Sequence, residues 1–326
     1  MTCYHPLLAF KHEGKITFNS PFPFARGFNL PCSQCVGCRL NYARNWAIRI
    51  MHEAQMHENN MFITLTFNEE SLNKRAIPSS LDVTEFQRFM KRLRKQIAPK
   101  KIRYFHCGEY GEKKGRPHYH AIIFGHKFDD LKLHEENKKT GVKLYTSQKL
   151  TKFKYPNKKP DPITNPIIGG LWPYGFSTIG NVEFQSASYV ARYIMKKQKG
   201  TDSKTKINTE TGEVSEQQHE YNTMSRYPGI ANTWYQKYHK DIYPHDYVVI
   251  NNKKVNPPRY YDTLLKGNKK DEEGNIIPSE QYNAVKKRRQ EKANDPLYGY
   301  NEEIDRLWVQ EEVKIQALKR LIRNLE

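Results

Sequence analysis

The sequence predicts an α+β fold in which helices cover an antiparallel sheet. Four segments have the alternating or β-branched and aromatic composition of strands: 61–67, 101–110, 118–125 and 175–184. Two amphipathic segments, 82–97 and 186–197, are predicted to be helices. The order of strand, helix, three strands and helix favours a ferredoxin-like sandwich with its helices gathered on one side of the sheet.

The two helices and the hairpin have recognisable start and stop signals. Asp82 is suited to cap the first helix, and Pro99 ends it. A Gly- and Lys-rich hairpin joins the second and third strands. Ser186 is expected to cap the second helix.

Three consecutive segments are expected along the chain. Residues 1–60 form a cysteine-rich arm with an amphipathic helix at 41–57, and residues 61–200 form the core. Within the core, the polar segment 126–170 resembles an insertion. Residues 201–326 form a linker and a C-terminal extension that ends in an amphipathic helix.

The C-terminal extension combines polar and amphipathic sequence. Residues 198–222 are rich in Lys, Thr, Gln, Glu, Ser and Gly, which predicts a mobile linker. Residues 301–326 predict a helix whose apolar stripe includes Ile304, Trp308 and Ile315. That stripe can pack on the rest of the protein or associate with a second copy.

The charge of the chain favours a polyanionic partner. Of 326 residues, 54 are Lys or Arg and 35 are Asp or Glu, which gives a formal net charge of +19. Thirteen basic side chains against five acidic ones lie in the segment 70–117. This segment leads into the strands of the candidate site, so it is expected to contact a phosphate backbone. A solvated helix face with a lysine-rich loop is the alternative explanation.

The sequence favours neither an integral membrane protein nor a secreted one. No apolar run approaches the roughly 18–20 residues that span a bilayer, and the first residues lack the pattern of a signal peptide. Three of the five cysteines lie between positions 32 and 38. They fit a metal site in a reducing cytoplasm better than a disulfide framework.

Two histidines and a glutamate are candidate ligands of a metal ion. His118 and His120 are separated by one residue on a predicted strand, so both rings face the same side. The preceding strand brings Glu109 close to them. Two imidazoles and one carboxylate leave positions open on Mg²⁺ or Mn²⁺, as the polarisation of a phosphate requires. A pair of histidines hydrogen-bonded at a strand end is the alternative.

Two tyrosines at helical spacing are candidate nucleophiles. Tyr189 and Tyr193 project from one face of the second predicted helix, and Lys196 lies on the same side. A phenol has a pKa near 10, so it needs a metal-polarised phosphate or nearby cations in order to attack. Lys196 and Arg192 can stabilise the charge that develops on phosphorus. Ordinary packing is the alternative for two such tyrosines.

The cysteine cluster is a candidate zinc site. Cys32, Cys35 and Cys38 form a CxxCxxC pattern, and Cys3 or His5 can supply a fourth ligand. Four such ligands make a closed tetrahedral site, which is typical of structural zinc. An iron–sulfur cluster and free reduced cysteines remain open as alternatives.

Three motifs in order resemble those of a known family. GEYGEKKGRPHYHAIIF resembles the His-hydrophobe-His motif of the HUH endonucleases with its upstream glutamate. FITLTF resembles the first motif of rolling-circle replication initiators, and YVARYIMKK resembles their two-tyrosine motif. The segments PCSQCVGCR, SRYPGI and PPRYYD are similar to those of the initiators of gokushovirus-type microviruses, which are small phages with circular single-stranded DNA.

This resemblance implies a fold and an activity. The fold would be the RRM-like antiparallel sheet of an HUH endonuclease core. The enzyme would nick one strand at the viral origin in the cytoplasm of the bacterial host, through a 5′-phosphotyrosine link, and later rejoin the displaced strand. A host polymerase would extend the 3′-hydroxyl, and a host helicase would unwind the duplex because the chain has no Walker-type motif.

The resemblance also assigns roles to residues. Glu109, His118 and His120 would hold Mg²⁺ or Mn²⁺. Tyr193 would attack first, because it precedes the lysine of a YxxK motif, Lys196, and Tyr189 would be its partner. Residues expected to contact DNA are Thr64, Thr66, Arg116, Arg192 and Lys197.

Two other functions compete with this one. An HUH transposase or a plasmid initiator would share the same site, but transposases usually keep one tyrosine and lack the cysteine cluster. A basic, zinc-stabilised nucleic-acid-binding protein without catalysis would explain the charge, the aromatic residues and the cysteines. It would leave the association of Glu109, His118 and His120 with a tyrosine helix as a coincidence.

Overall fold

The computed structural model describes residues 3–111, 115–138, 140–161, 163–196, 204–207, 214–294 and 304–319. At 192–196, 204–207, 214–215, 292–294, 304–305 and 319 it describes the backbone alone.

The chain forms two compact units. The larger one is built from Trp46–Lys237, and the other joins Met1–Asn45 to Tyr238–Arg323. The units therefore do not follow the three consecutive segments drawn from the sequence, because residues beyond 237 belong with the N-terminal arm rather than forming a separate extension.

The helices and strands of the described residues are numbered in chain order. The helices are α1 (Val36–Ala54), α2 (Glu69–Asn73), α3 (Val83–Ile97), α4 (Phe184–Lys196), α5 (Asn232–Ile242), α6 (Arg259–Lys266), α7 (Glu280–Asn294) and α8 (Ile304–Lys319). The strands are β1 (Leu7–His12), β2 (Lys15–Thr17), β3 (Phe28–Leu30), β4 (Asn60–Leu65), β5 (Arg103–Tyr110), β6 (Pro117–Phe124), β7 (Lys132–Glu136), β8 (Lys143–Thr146), β9 (Lys152–Phe153), β10 (Ile167–Gly169), β11 (Ser177–Gly180), β12 (Lys204–Ile207), β13 (Val214–Gln217), β14 (Tyr221–Met224), β15 (Val248–Ile250) and β16 (Lys253–Val255).

A seven-stranded antiparallel sheet organises the larger unit. Its strand order is β14-β5-β6-β4-β11-β8-β7. The four strands predicted from the sequence are β4, β5, β6 and β11, and they lie side by side in the order β5-β6-β4-β11. This is the order of a ferredoxin-like sheet, so the α+β prediction is confirmed.

Helices cover both faces of this sheet, which corrects the expectation that they gather on one side. On one face, α3 packs through Phe86 and Phe89 against Ile63 of β4. On the other face, the second half of α1 and α4 pack against Phe62 and Ile122. Because neighbouring strand residues point to opposite faces and both sets are apolar here, each face needs a covering layer.

Helix boundaries agree with the sequence signals in one case and differ in two. Asp82 caps α3 as predicted, and its side chain accepts a hydrogen bond from Thr84 N. α1 begins at Val36 rather than at residue 41, immediately after the second cysteine of the CxxCxxC pattern. α4 begins two residues before Ser186, whose hydroxyl accepts a hydrogen bond from Glu183 N and donates to Asn181 O. Ser186 therefore fixes the approach to α4 from inside its first turn.

Two regions expected to be irregular contribute strands. Within the supposed insertion, β7 and β8 extend the central sheet beyond β11. Within the supposed linker, β12 pairs with β13, and β14 forms the opposite edge of the sheet beside β5. Backbone pairing accounts for both differences, because a polar strand can be held by the hydrogen bonds of its neighbour without an apolar pattern of its own.

The C-terminal helix buries a different face from the one predicted. Leu307 on α8 is buried at 3% exposure, whereas Trp308 is 67% exposed. Glu311, one turn after Leu307, accepts a hydrogen bond from Val36 N and lies 2.5 Å from His5 Nε2. These polar contacts fix the rotation of the helix, which an apolar pattern alone could not show. None of the helices in the described ranges is long and apolar enough to cross a membrane.

Candidate metal centres and tyrosine helix

Three residues predicted to bind a metal lie together on one face of the central sheet. Glu109 on β5 is the register partner of His118 on β6, and His120 follows two residues later. Period-two alternation directs all three side chains to the same face. Their ligand atoms lie within 4.8 Å of one another. The structure thus brings together the metal-binding triad, Glu109, His118 and His120, that the sequence predicted.

The triad is largely shielded from water. Glu109 and His120 are each 2% exposed, and His120 Nε2 lies 2.7 Å from Glu109 Oε1. Burial lowers the pKa of His118 to about 4, and nearby His120 and Arg116 contribute to the same shift, so this ring is neutral at pH 7. A buried carboxylate beside a neutral imidazole is a donor set whose charge a divalent cation compensates. The triad therefore fits such a cation and leaves positions for other ligands.

The ring of His120 is held by contacts on several sides. Thr64 is its register partner on β4, and Thr64 Oγ1 lies 3.0 Å from His120 Nδ1. The Phe62 ring stacks on the imidazole at a centroid distance of 5.8 Å and an angle of 7°. Tyr189 packs edge-on at 5.2 Å and 84°. These contacts fix the direction in which His120 Nε2 points.

Gly111 makes room for the other imidazole. It follows β5, and a Cβ atom placed there would lie 3.0 Å from His118 Cε1. This separation is tighter than ordinary van der Waals contact, so any other residue at 111 would press on the ring. The second glycine of the GExG sequence is thus explained by the close approach of His118.

The predicted tyrosine helix lies on the same face of the sheet as the triad. Tyr189 on α4 is 5% exposed and contacts both His120 and Phe62 through its ring. The backbone of α4 continues through Lys196, so Tyr193 lies one turn beyond Tyr189. The side chains of Arg192, Tyr193 and Lys196, and all of Lys197, lie outside the described residues.

Three residues expected to contact DNA make contacts within the protein. Thr64 lies on His120, and Thr66 Oγ1 donates a hydrogen bond to Phe176 O at 3.0 Å. The Arg116 guanidinium pairs with Glu69. Their assignment to DNA stays a prediction, and the structure adds an internal partner for each.

The basic segment 70–117 is divided by the sheet. Arg75 pairs with Glu85, and Arg103 Nε lies 2.5 Å from Glu53 Oε1, so these cations serve internal contacts. Exposed basic residues of α3, such as Lys91, lie on a helix that covers the face opposite to the triad. The expectation that this segment as a whole flanks the metal strands therefore needs correction, because adjacency in sequence does not fix the face of the sheet.

The four predicted cysteines form a second cluster, in the smaller unit. The Sγ atoms of Cys3, Cys32, Cys35 and Cys38 lie within 4.8 Å of one another. Cys3, one of the two candidates for the fourth position, joins the three cysteines of the motif. His5, the other candidate, has its Nε2 2.5 Å from Glu311 Oε2.

Backbone N–H groups point at the sulfur atoms of this cluster. Cys32 Sγ accepts hydrogen bonds from Cys35 N at 3.3 Å and from Gln34 N at 3.4 Å, and Cys35 Sγ accepts one from Cys38 N at 3.4 Å. Burial raises the pKa of Cys32, but the hydrogen bonds to its sulfur outweigh burial and lower the pKa to about 7. Donors aimed at sulfur stabilise thiolates, which are the form that binds a metal. The cluster therefore fits a thiophilic cation.

Sequence reasoning missed three contributors to these clusters: the hydroxyl of Thr64 on His120, the glycine at 111 and Glu311 beside the cysteines. A single sequence carries no signal of strand register or helix rotation that would reveal the first and third. The GExG pattern did contain Gly111, but its purpose depends on the position of the His118 ring.

Comparison with known proteins supports a role in phage replication. The profile of a family described as replication-associated protein ORF2 matches residues 60–198. Replication-associated protein VP4 of Bdellovibrio phage phiMH2K is 33% identical over 82% of this chain and 78% of its own length. Replication-associated protein ORF2 of Spiroplasma virus 4 is 31% identical over 75% of this chain and 70% of its own length.

A third relative is more distant in length. Replication-associated protein ORF4 of Chlamydia phage 1 is 30% identical over 80% of this chain and 59% of its own length. No solved structure matches the chain. The extent of these similarities confirms the resemblance to the replication initiators of gokushovirus-type microviruses, and the chain belongs to the family of phage replication-associated proteins.

Proposed function

We propose that this protein initiates rolling-circle replication by nicking and rejoining single-stranded DNA at the phage origin. One observation carries the proposal: the ligand atoms of Glu109, His118 and His120 lie within 4.8 Å of one another, on the face covered by the tyrosine helix α4. The ring of Tyr189 contacts His120 at 5.2 Å. Metal ligands and candidate nucleophiles therefore belong to one site.

The triad would hold Mg²⁺ or Mn²⁺, which when bound polarises the scissile phosphate. The residues of the chain orient the reaction. Glu109 offers a carboxylate, and His118 offers a neutral ring at pH 7, because burial keeps its pKa at about 4. Lys196 and Arg192 would neutralise the charge that develops on phosphorus.

In the nicking step, the hydroxyl oxygen of a tyrosine forms a bond to the phosphorus atom. The bond between phosphorus and the 3′-oxygen breaks, the 3′-oxygen gains a proton, and the tyrosine hydroxyl loses one. The products are a 5′-phosphotyrosine and a free 3′-hydroxyl. In the rejoining step, a 3′-hydroxyl attacks the phosphotyrosine, and the tyrosine oxygen leaves with a proton.

We assign the first attack to Tyr193 and the second to Tyr189. The ring of Tyr189 is 5% exposed and packs against His120 and Phe62. A nucleophile in that position must first leave its packing in order to reach a phosphate. Tyr193 lies one turn further along α4 and precedes the lysine of the YxxK motif.

The DNA would be held by cations around this face. Arg116 lies just before the β6 histidines, and Arg192 and Lys197 accompany the tyrosine helix in sequence. Thr64 and Thr66 remain proposed DNA contacts only where their hydroxyls can exchange an internal partner for a phosphate. The site would act in the host cell on the viral origin, with a host helicase and a host polymerase as partners.

The cysteine cluster would bind structural zinc. Four thiols within 4.8 Å of one another complete a tetrahedral site and leave no position for a substrate. Zinc there would hold residues 3–5 to the start of α1, because Cys3 and Cys38 share the ion. We propose no catalytic role for it.

The proposed function is tested by the formation of a covalent adduct. The full-length protein is incubated with labelled single-stranded origin DNA and Mg²⁺ or Mn²⁺, and SDS-resistant protein–DNA species are counted. We expect an adduct with the wild type and its loss in the Tyr193→Phe variant. Tyr189→Phe should still form the adduct but should rejoin strands poorly.

The second YxxxY pair of the sequence offers a matched control. Tyr247 lies beyond the end of α5 and outside any helix, so Tyr247→Phe should leave the adduct unchanged. An adduct that persists in the double Tyr189→Phe, Tyr193→Phe variant would disprove the assignment of the nucleophiles. A wild type that forms no adduct with any metal would favour a binding protein without catalysis.

A further inference from the structure

Thr64 occupies a position from which it can control a metal ligand. It lies on β4 directly opposite His120 on β6, with Thr64 Oγ1 3.0 Å from His120 Nδ1. The second nitrogen of that ring, Nε2, lies 2.7 Å from Glu109 Oε1. The two nitrogens of His120 therefore face two different partners, and only one of these partners belongs to the triad.

The carboxylate and the hydroxyl make different demands on the ring. A carboxylate accepts hydrogen bonds and does not donate them, so without a cation the proton of a neutral His120 lies on Nε2, facing Glu109. Nδ1 is then an acceptor, and Thr64 donates its hydroxyl proton to it. A threonine hydroxyl can perform this role because it is both a donor and an acceptor.

A bound cation reverses the direction of this hydrogen bond. The cation takes the lone pair of Nε2, so the proton of the neutral ring must lie on Nδ1. The number of protons on the ring does not change. Thr64 then rotates its hydroxyl and accepts the Nδ1 proton, which keeps a nitrogen satisfied in a side chain that is 2% exposed.

We propose that Thr64 is a positioning residue for the metal, and that its hydroxyl sets the tautomer and the orientation of His120. This inference rests on the proposed metal site but is separate from the chemistry of nicking. It gives the first motif, FITLTF, a role within the protein: its first threonine supports a metal ligand. The second threonine does not, because Thr66 donates to Phe176 O.

The packing of the His120 ring is consistent with this role. Phe62 stacks on one face at 5.8 Å, and Tyr189 contacts the ring edge-on at 5.2 Å. These apolar contacts hold the plane of the ring but cannot distinguish its two nitrogens. Among the contacts described for His120, the Thr64 hydroxyl is the one that can match either tautomer.

The test is the affinity of the full-length protein for Mn²⁺, measured without DNA by electron paramagnetic resonance. We expect Thr64→Val, which keeps the shape but removes the hydroxyl, to weaken Mn²⁺ binding about 10- to 100-fold. Thr64→Ala should weaken it similarly and gives a second measurement if the valine variant does not fold. Thr64→Ser keeps the hydroxyl and should bind within about threefold of the wild type.

Thr66→Val is the matched control, because it removes a neighbouring hydroxyl that does not contact the triad. Its Mn²⁺ affinity should equal that of the wild type. Equal losses in Thr64→Val and Thr66→Val would indicate a general effect on β4 and overturn the proposal. Wild-type affinity in both Thr64→Val and Thr64→Ala would also overturn it.

A spectroscopic measurement follows the tautomer directly. The ¹⁵N shifts of His120, recorded before and after addition of the diamagnetic ion Mg²⁺, should show the ring proton move from Nε2 to Nδ1. A proton already on Nδ1 without the metal would contradict the reversal. Mn²⁺ binding that depends on Thr64, without any DNA adduct, would support this inference and reject the proposed function; an adduct with no dependence on Thr64 would do the opposite.

Discussion

The chain contains two clusters of metal-binding side chains that are built in different ways. The four cysteines provide four soft donors, and three of them come from seven consecutive residues. The triad provides one carboxylate and two imidazoles, and its members come from two neighbouring strands. The first set completes a tetrahedral site, whereas the second leaves positions open. The difference separates a cluster suited to stability from one suited to chemistry.

The surroundings of the two clusters differ in the same sense. Backbone N–H groups support the sulfur atoms, as between Cys35 N and Cys32 Sγ at 3.3 Å. Side chains support the triad, through Thr64 on His120 and the space that Gly111 leaves for His118. Backbone support follows from the local turn, while side-chain support depends on which strands are neighbours. Three changes test this comparison.

Removal of a triad ligand should have the largest effect. His120→Ala leaves two of the three ligands, and nicking should fall on the order of 10³-fold or more, since polarisation by a metal contributes several kcal/mol. Zinc content should not change. Adduct formation on labelled origin DNA measures the first effect, and atomic absorption measures the second. His134→Ala, on the exposed strand β7, is the control. A loss of less than tenfold would contradict the role of the triad.

Removal of a cysteine should have the reverse pattern. Cys35→Ser removes a ligand and the acceptor of the Tyr4 and Cys38 N–H groups. We expect loss of zinc and destabilisation on the order of 3 kcal/mol, because the metal contributes directly to folding. Denaturant unfolding and metal analysis measure both effects, and Mn²⁺ binding at the triad should persist.

Gln34→Ala serves as the control for this variant. Its side chain is exposed, and it keeps the backbone N–H that donates to Cys32 Sγ. Equal zinc content in Cys35→Ser and the wild type would show that the cluster does not bind zinc through all four sulfur atoms.

A change of pH should have the smallest and most graded effect. The pKa of Cys32 is lowered to about 7, so this thiol takes up a proton as the pH falls below 7 and then competes with zinc. The pKa of His118 is lowered to about 4, so this ring stays neutral and available until the pH approaches 4. Between pH 7 and 5, zinc affinity should fall roughly tenfold per pH unit for one thiol, and Mn²⁺ affinity much less.

The measurement compares zinc transfer to a coloured chelator with Mn²⁺ binding over the same pH range. Parallel losses at both clusters would contradict the difference in ligand chemistry. A zinc affinity that does not change down to pH 5 would mean that the Cys32 thiolate is held by more than its N–H donors.

The sequence identified the elements and ligands because their signals are local. The stripe of α3 and its Asp82 cap lie within one helix, and the HxH pair lies within one strand. The sequence could not identify the face on which each helix packs. α3 and α4 have similar amphipathic patterns, yet they cover opposite faces of the sheet.

The polar strands and the C-terminal helix were misjudged for a related reason. β14 joins the sheet through backbone pairing with β5, although its composition resembles a linker. On α8, Leu307 is buried and Trp308 is exposed because Glu311 contacts Val36 N and His5. In both cases the decisive partner is far away in sequence.

The sequence by itself determined the α+β class, the two ligand sets and the order of the three motifs. Each depends on residue type and on spacings of one to about ten positions, which the backbone geometry of strands and helices converts directly into direction. Only the tertiary structure decided that Thr64 faces His120, that Tyr189 packs against the same ring and that the basic helix α3 lies on the opposite side. These relations depend on strand register and on the choice between two apolar faces, and both are set by packing among distant segments.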